Sequence, residues 1–205
     1  MDKLKFHELT RINELSSAGL ASPPPSRSVL VSDRPQYSIW LLPRADHEVA
    51  LAAIVRRLST ELDGPLFAPH VTIQGDVALS PEQLRPTLAH LAAQTPVQHW
   101  PVALLDGTPH FFRCLFLRFE AHQGFEEMQA AAQTMTGTAD GLSPFPHLSL
   151  AYGDAHEAYA RQRQLLASDY AEQTIVFDRL AICRSSSHVP IAEWVVLEQL
   201  PLAHE

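Results

Sequence analysis

From Tyr37 onward, short apolar runs alternate with longer amphipathic ones. YSIWLLP, residues 37–43, is aromatic and aliphatic and stops at a proline, which predicts a strand. Asp46 then stands as a candidate cap for a helix to about Leu62, with Val49, Ala53, Leu58 and Leu62 near helical spacing. Gly64 and Pro65 end it. HVTIQGDV is short and β-rich and predicts a second strand. Ser80 followed by Pro81 is a cap with proline at the first helical position, opening a helix to about Ala93. VQHWPVALLDG and HFFRCLFLRFE read as two strands joined at Gly107, Thr108 and Pro109. A similar order then returns: helix GFEEMQAAAQTM, strand PHLSLAYGD, helix HEAYARQRQLLASDY, and strands QTIVFDRLAICRS and AEWVVLEQLPL. Helices mixed with antiparallel strands predict an α+β domain. Residues 1–35 do not share this pattern. LASPPPSRSVLVSDRP is rich in Pro and Ser, so this region is expected to be an N-terminal appendage or linker before a domain at 36–205.

The two halves carry rough copies of one motif, PHVTIQGD around His70 and PHLSLAYGD around His147. Each has Pro before His, a hydroxyl residue two positions after it, and Gly-Asp beyond. Side chains alternate faces along a strand, so His70 and Thr72 share one face while Val71 and Ile73 turn to a core. His147 and Ser149 likewise oppose Leu148 and Leu150. If the two polar faces meet, a cleft gains two imidazoles and two hydroxyls. That set suits hydrolysis of a cyclic phosphate. One imidazole takes a proton from water and the other gives one to the leaving oxygen, since histidine titrates near neutrality. The hydroxyls of Thr72 and Ser149 can donate to the non-bridging oxygens. The strained ring needs no metal, and no cofactor is expected. A single His-x-Thr is a weak signal, and the repeated context makes the pair specific. The nine other histidines lack that context and read as surface or ordinary core residues.

Composition narrows the partners. The 205 residues suffice for one domain or for two lobes sharing a core. Net charge is −8 with histidine neutral, and no basic stripe is visible, so long nucleic acid is not an expected partner. A small anion remains compatible, because a local pocket can oppose the global field. No apolar run approaches the roughly 20 residues that span a bilayer. MDKLKFHELTRINEL lacks the apolar core of a secretion signal, so a cytoplasmic protein with no membrane partner is expected, and a monomer is expected as well. Cys114 and Cys183 each sit in an apolar run and read as buried thiols, with a disulfide or redox role as the alternative.

On these motifs the chain resembles the 2H phosphoesterase superfamily, named for two His-x-Thr/Ser motifs, and within it the plant- and yeast-type cyclic phosphodiesterases. The likeness runs from about Tyr37 to Leu200 and rests on YSIWLLP, FAPHVTIQGD, TPHFFRCLFL and FPHLSLAYGD, with the motif histidines 77 positions apart (70 to 147). It implies a two-lobed, pseudo-symmetric fold, with antiparallel sheets facing a central cleft and helices outside. It implies metal-free hydrolysis of ADP-ribose 1″,2″-cyclic phosphate and of nucleoside 2′,3′-cyclic phosphates to 2′-phosphates. By the same resemblance His70 and His147 are the acid/base pair, Thr72 and Ser149 hold phosphate, and Tyr152 is the aromatic residue after the second motif. Tyr152 stands five positions after His147, an odd offset, so a bulge or strand end is needed to turn it inward. Phe112, with Phe111 beside it, is a candidate for stacking on a nucleobase. Two other readings stay open: RNA end processing of the 2′,3′-cyclic phosphodiesterase/2′-5′ ligase type, and a non-catalytic nucleotide- or RNA-binding module.

Overall fold

The computed structural model describes residues 36–203. The expected N-terminal appendage, residues 1–35, lies outside them. Seven strands and four α-helices follow one another as β1 (Tyr37–Pro43), α1 (Ala45–Leu62), β2 (Val71–Val77), α2 (Pro81–Gln94), β3 (Gln98–Asp106), β4 (Leu115–Phe119), α3 (Gln123–Thr136), β5 (His147–Ala151), α4 (His156–Tyr170), β6 (Thr174–Arg184) and β7 (Val195–Pro201).

All named strand pairs are antiparallel, in the order β1-β2-β5-β4-β3-β6-β7 with a further β1–β6 pairing. Each half of the chain runs strand-helix-strand-helix-strand, and the third strand crosses over. β3 pairs with β4 of the second half, and β6 pairs with β1 of the first. One lobe is therefore β2, β1, β6 and β7, and the other is β5, β4 and β3. The lobes join twice: β3 pairs with β6 from Gln98↔Phe177 to Pro101↔Thr174, and β2 meets β5 at Val71↔Leu148, the residues that follow the two motif histidines. An antiparallel pairing of equivalent residues is a local dyad, so the duplication seen in sequence is a duplication in space.

The alternation within each motif is set by this arrangement. Val71, Ile73, Leu148 and Leu150 are fully buried in the main core, which the helices close with Leu51, Leu58, Leu84 and Met128. Ser80 caps α2 as the sequence suggests, its hydroxyl accepting from Gln83 N while the Gln83 side chain accepts from Ser80 N. Both cysteines are free and buried. No helix among the described residues is long and apolar enough to cross a membrane.

Two sequence expectations need correction. Asp46 does not cap α1; Arg44 holds the N-cap position, and its guanidinium donates to both Asp46 carboxylate oxygens at 2.9 and 2.8 Å. The buried stripe of α1 is Leu51, Val55 and Leu58, while Val49 is 72% exposed. The phase is carried by the i, i+4, i+7 triplet that meets the sheet. The second correction concerns HFFRCLFLRFE, whose first part is not strand. Phe111–Arg113 form a 3₁₀ turn, closed by Thr108, whose N–H and hydroxyl both donate to Arg113 O at 2.9 Å. Pairing starts only at Leu115. This turn carries Phe112 and Arg113 to the site.

Candidate active site

Each motif begins with a proline, and the structure gives the reason. Proline has no N–H for a ladder and holds the preceding residue extended. The carbonyl two residues before each histidine is thereby left to the ring. Ala68 O lies 2.7 Å from His70 Nδ1, and Phe145 O lies 3.0 Å from His147 Nδ1. A carbonyl only accepts, so both rings carry their proton on Nδ1 and keep the Nε2 lone pair for the cavity. Ser143 braces the second ring further. Its hydroxyl donates to Phe145 O at 3.0 Å and lies 3.2 Å from His147 Nδ1.

Neighbouring strands supply aromatic walls. On β1, Trp40 stands opposite Thr72 and stacks flat on His70, with centroids 3.6 Å apart and planes within 7°. On β4, Phe116 stands opposite Ser149 and meets His147 edge-on at 5.3 Å. Burial pushes both imidazoles down to about 4. For His70 the charge of His147 is a smaller cause; for His147, Arg113 and His110 add to burial. Burial, rather than repulsion between the two histidines, sets their basicity.

His70, Thr72, His147, Ser149, Tyr152 and Phe112 all line one cavity of about 250 Å³. Thr72 is half-buried, and its hydroxyl has no hydrogen-bond partner among the described residues. Ser149 differs: it is 4% exposed, donates to Phe112 O at 3.0 Å and lies against the Tyr152 phenol. Of the two hydroxyls, only that of Thr72 is free to meet an anion without first leaving a partner. Tyr152 reaches the cavity because β5 ends at Ala151, before the odd offset takes effect. Gly153, at φ 150, follows, and a Cβ there would meet the Tyr159 hydroxyl at 2.3 Å. Tyr152 stacks on Phe67 at 3.9 Å, and burial raises its phenol well above the ordinary value. Phe112 stands edge-on to Tyr152 at 5.3 Å; Phe111 packs behind it rather than in the cavity.

The cavity also holds residues that the motif reading does not single out. Trp194 lines it with its indole N–H donating to Val189 O at 3.0 Å, and its plane lies within 16° of Phe112 at 6.1 Å. Arg113 is the one permanent cation lining the cavity among the described residues. A chain with net charge −8 thus places a positive group beside His147. His110, which lacks the motif context in sequence, lines the cavity too and caps the 3₁₀ turn, its Nδ1 accepting from Phe112 N at 3.2 Å. The Thr108-Pro109 pair just before it is the available signal, since proline and hydroxyl residues favour turns.

The loop that carries Ser143 is clamped against β2. Gln74, fully buried, donates from Nε2 to Thr138 O and Asp140 O at 2.9 and 3.1 Å. Gly75 N donates to Gly141 O at 2.7 Å. A Cβ on Gly141 would fall 1.7 Å from Gly75 O, and its φ of 70 is left-handed, so this crossing requires glycine.

Among known proteins, no family model matches the chain. It is 24% identical over 155 residues to a protein of Arabidopsis thaliana named cyclic phosphodiesterase, covering 74% of this chain and 86% of that one. An uncharacterised protein of Schizosaccharomyces pombe is 24% identical over 123 residues, 54% of this chain and 58% of that one. Among solved structures, TT0787 of Thermus thermophilus matches with a TM-score of 0.53 at 18% identity, over 83% of this chain and 99% of that one. LigT of E. coli, solved in complex with ATP, matches with 0.51 at 14% identity over the same shares. The structural likenesses establish the fold.

Proposed function

We infer that this chain, a 2H-type phosphoesterase in fold and in its paired motifs, hydrolyses small cyclic phosphodiesters by two-histidine acid/base catalysis without a metal. One observation carries the reading: two imidazoles on a local dyad, each pinned at Nδ1 by the carbonyl two residues before it, line the same cavity. The substrates that fit are nucleoside 2′,3′-cyclic phosphates, opened to 2′-phosphates, and ADP-ribose 1″,2″-cyclic phosphate. Water adds to phosphorus as one neutral Nε2 takes its proton. The bond to the ribose oxygen breaks as the other ring, protonated at Nε2, gives a proton to that oxygen. The pinned Nδ1–H leaves Nε2 as the atom that gains or loses the proton in both roles. Thr72 and Arg113 face the phosphate oxygens, and Phe112 and Trp194 offer faces to the base.

Turnover of a 2′,3′-cyclic mononucleotide in the presence of EDTA tests the reading, and steady turnover is the expected result. Activity that disappears on chelation and returns with a divalent ion would refute the metal-free route.

Burial of the imidazoles also sets a pH signature. Both are neutral at pH 7 in the free protein, so the base is plentiful and the acid scarce. The form with one proton on the pair peaks near pH 4 and shrinks as pH rises. kcat/KM, which reports the free enzyme, is therefore expected to fall about tenfold per pH unit between pH 6 and 8. Bound phosphate favours the imidazolium, so the alkaline limb of kcat lies at higher pH than that of kcat/KM. Coincident limbs at or above pH 6.5 would show that burial does not hold the free rings neutral.

A further inference from the structure

Past Thr72 the cavity turns polar. Ser38, Gly75, Asp76 and Ser185 line this end, away from Tyr152 and Phe112 along the course of β2. The Gly-Asp pair that follows both motifs has come to serve different purposes. Gly75 and Asp76 line the cavity, whereas Gly153 and Asp154 do not.

Ser185 is 1% exposed, and its hydroxyl is the one buried side-chain polar atom among the described residues without a hydrogen-bond partner. Its backbone is already engaged: its N–H donates to Gln36 O at 2.9 Å and its carbonyl accepts from Ser38 Oγ at 2.8 Å. A buried hydroxyl without a partner calls for an explanation, and this one stands in the wall of the cavity's polar end. Asp76 stands at φ 49, a left-handed backbone that aspartate and asparagine tolerate better than most residues. Its Oδ1 accepts from Ser187 N at 2.8 Å and lies 3.1 Å from Ser187 Oγ, while Oδ2 lies 3.2 Å from that same hydroxyl. One hydroxyl has one proton, so the carboxylate keeps acceptor capacity. Gly75 brings the backbone to this end of the cavity, where a Cβ would make only ordinary contacts with Thr72 Cγ2 at 3.5 Å and Ser38 Oγ at 3.6 Å.

We propose that this end is a second subsite, which binds a neutral group with two adjacent hydrogen-bond donors on the part of the substrate remote from the cyclic phosphate. A carboxylate repels a further phosphate and accepts paired donors. The Ser185 hydroxyl adds a third contact. The vicinal diol of a second ribose offers that chemistry, whereas the base of a mononucleotide stacks on Phe112 and Trp194 at the other end. The proposal rests on the cyclic phosphodiesterase reading of the same cavity.

The test compares three substrates: ADP-ribose 1″,2″-cyclic phosphate, with a second ribose diol; and 2′,3′-cyclic GMP and 2′,3′-cyclic UMP, which have no second ribose. The wild-type chain is expected to have a lower KM for ADP-ribose 1″,2″-cyclic phosphate than for either mononucleotide, and a lower KM for 2′,3′-cyclic GMP instead would overturn the assignment to a second ribose. Asp76→Asn keeps the backbone preference and an oxygen for Ser187. It is expected to raise the KM for ADP-ribose 1″,2″-cyclic phosphate about tenfold relative to the KM for 2′,3′-cyclic UMP. Ser185→Ala is expected to do so by roughly threefold. Equal KM shifts for all three substrates, no shift, or no wild-type preference would each overturn the subsite while leaving the catalytic reading intact. No wild-type turnover of any of the three would overturn both.

Discussion

His147→Ala and His70→Ala are each expected to lower kcat by about 10²–10⁴-fold, the range a positioned acid or base contributes. Neither effect is expected to arise from unfolding. Both rings belong to the cavity wall, and the adjacent Val71 and Leu148 hold the strands in the core. The two variants differ in what they leave behind. Loss of the His70 ring uncovers the face of Trp40, with which it is stacked at 3.6 Å, and removes a side chain that is 6% exposed. Loss of the His147 ring leaves Ser143 still bonded to Phe145 O. His70→Ala is therefore expected to lower the melting temperature more, and His147→Ala to be the cleaner catalytic lesion. Steady-state kinetics beside thermal unfolding separates the two effects. A folded variant with near-normal kcat would remove that histidine from the reaction.

Thr72→Val is expected to cost about 10²–10³-fold in kcat, as loss of one donor to a developing oxyanion does, with Thr72→Ser keeping most of the activity. Ser149→Ala is expected to cost less. The reason is the asymmetry between the hydroxyls: the Ser149 proton points to Phe112 O at 3.0 Å and must turn away before it can serve phosphate. Thr72 has no such tie. Kinetics of the three variants on one cyclic mononucleotide provide the check. A wild-type kcat for Thr72→Val would place the phosphate elsewhere, and a larger loss at Ser149 than at Thr72 would reverse the assignment of the free donor.

How much of this is legible in the chain depends on distance in sequence. The motif faces are readable because i and i+2 share a side of a strand, and Val71, Ile73, Leu148 and Leu150 do fill the opposite side. The repeat points to two related halves. Trp40, Trp194 and Ser185 are not readable as site residues, because they come from β1, the approach to β7 and the end of β6, and only long-range strand pairing brings them together. Arg113 and His110 are hidden differently, inside a run whose hydrophobicity reads as a strand although its first part closes on itself through Thr108. The helix phase around Val49 is ambiguous in sequence, because one apolar residue on the flank looks like one on the face until the sheet beneath is known.

The crossing of β3 and β6 has a consequence for how the chain can be divided. Neither half owns a whole lobe: residues up to β3 lack the β6 that pairs with β1 and the β7 beyond it, and residues from β4 onward lack the β3 that flanks β4. A cut between β4 and α3, or anywhere near the midpoint, yields fragments with bare sheet edges that only the other fragment covers. The same exchange gives the duplication a natural ancestor. Two identical half-length chains that traded their last strands would already have formed a closed, twofold dimer with one histidine from each copy facing a shared cleft. Fusion of two such copies would free each histidine, and each wall of the cleft, to diverge from its twin.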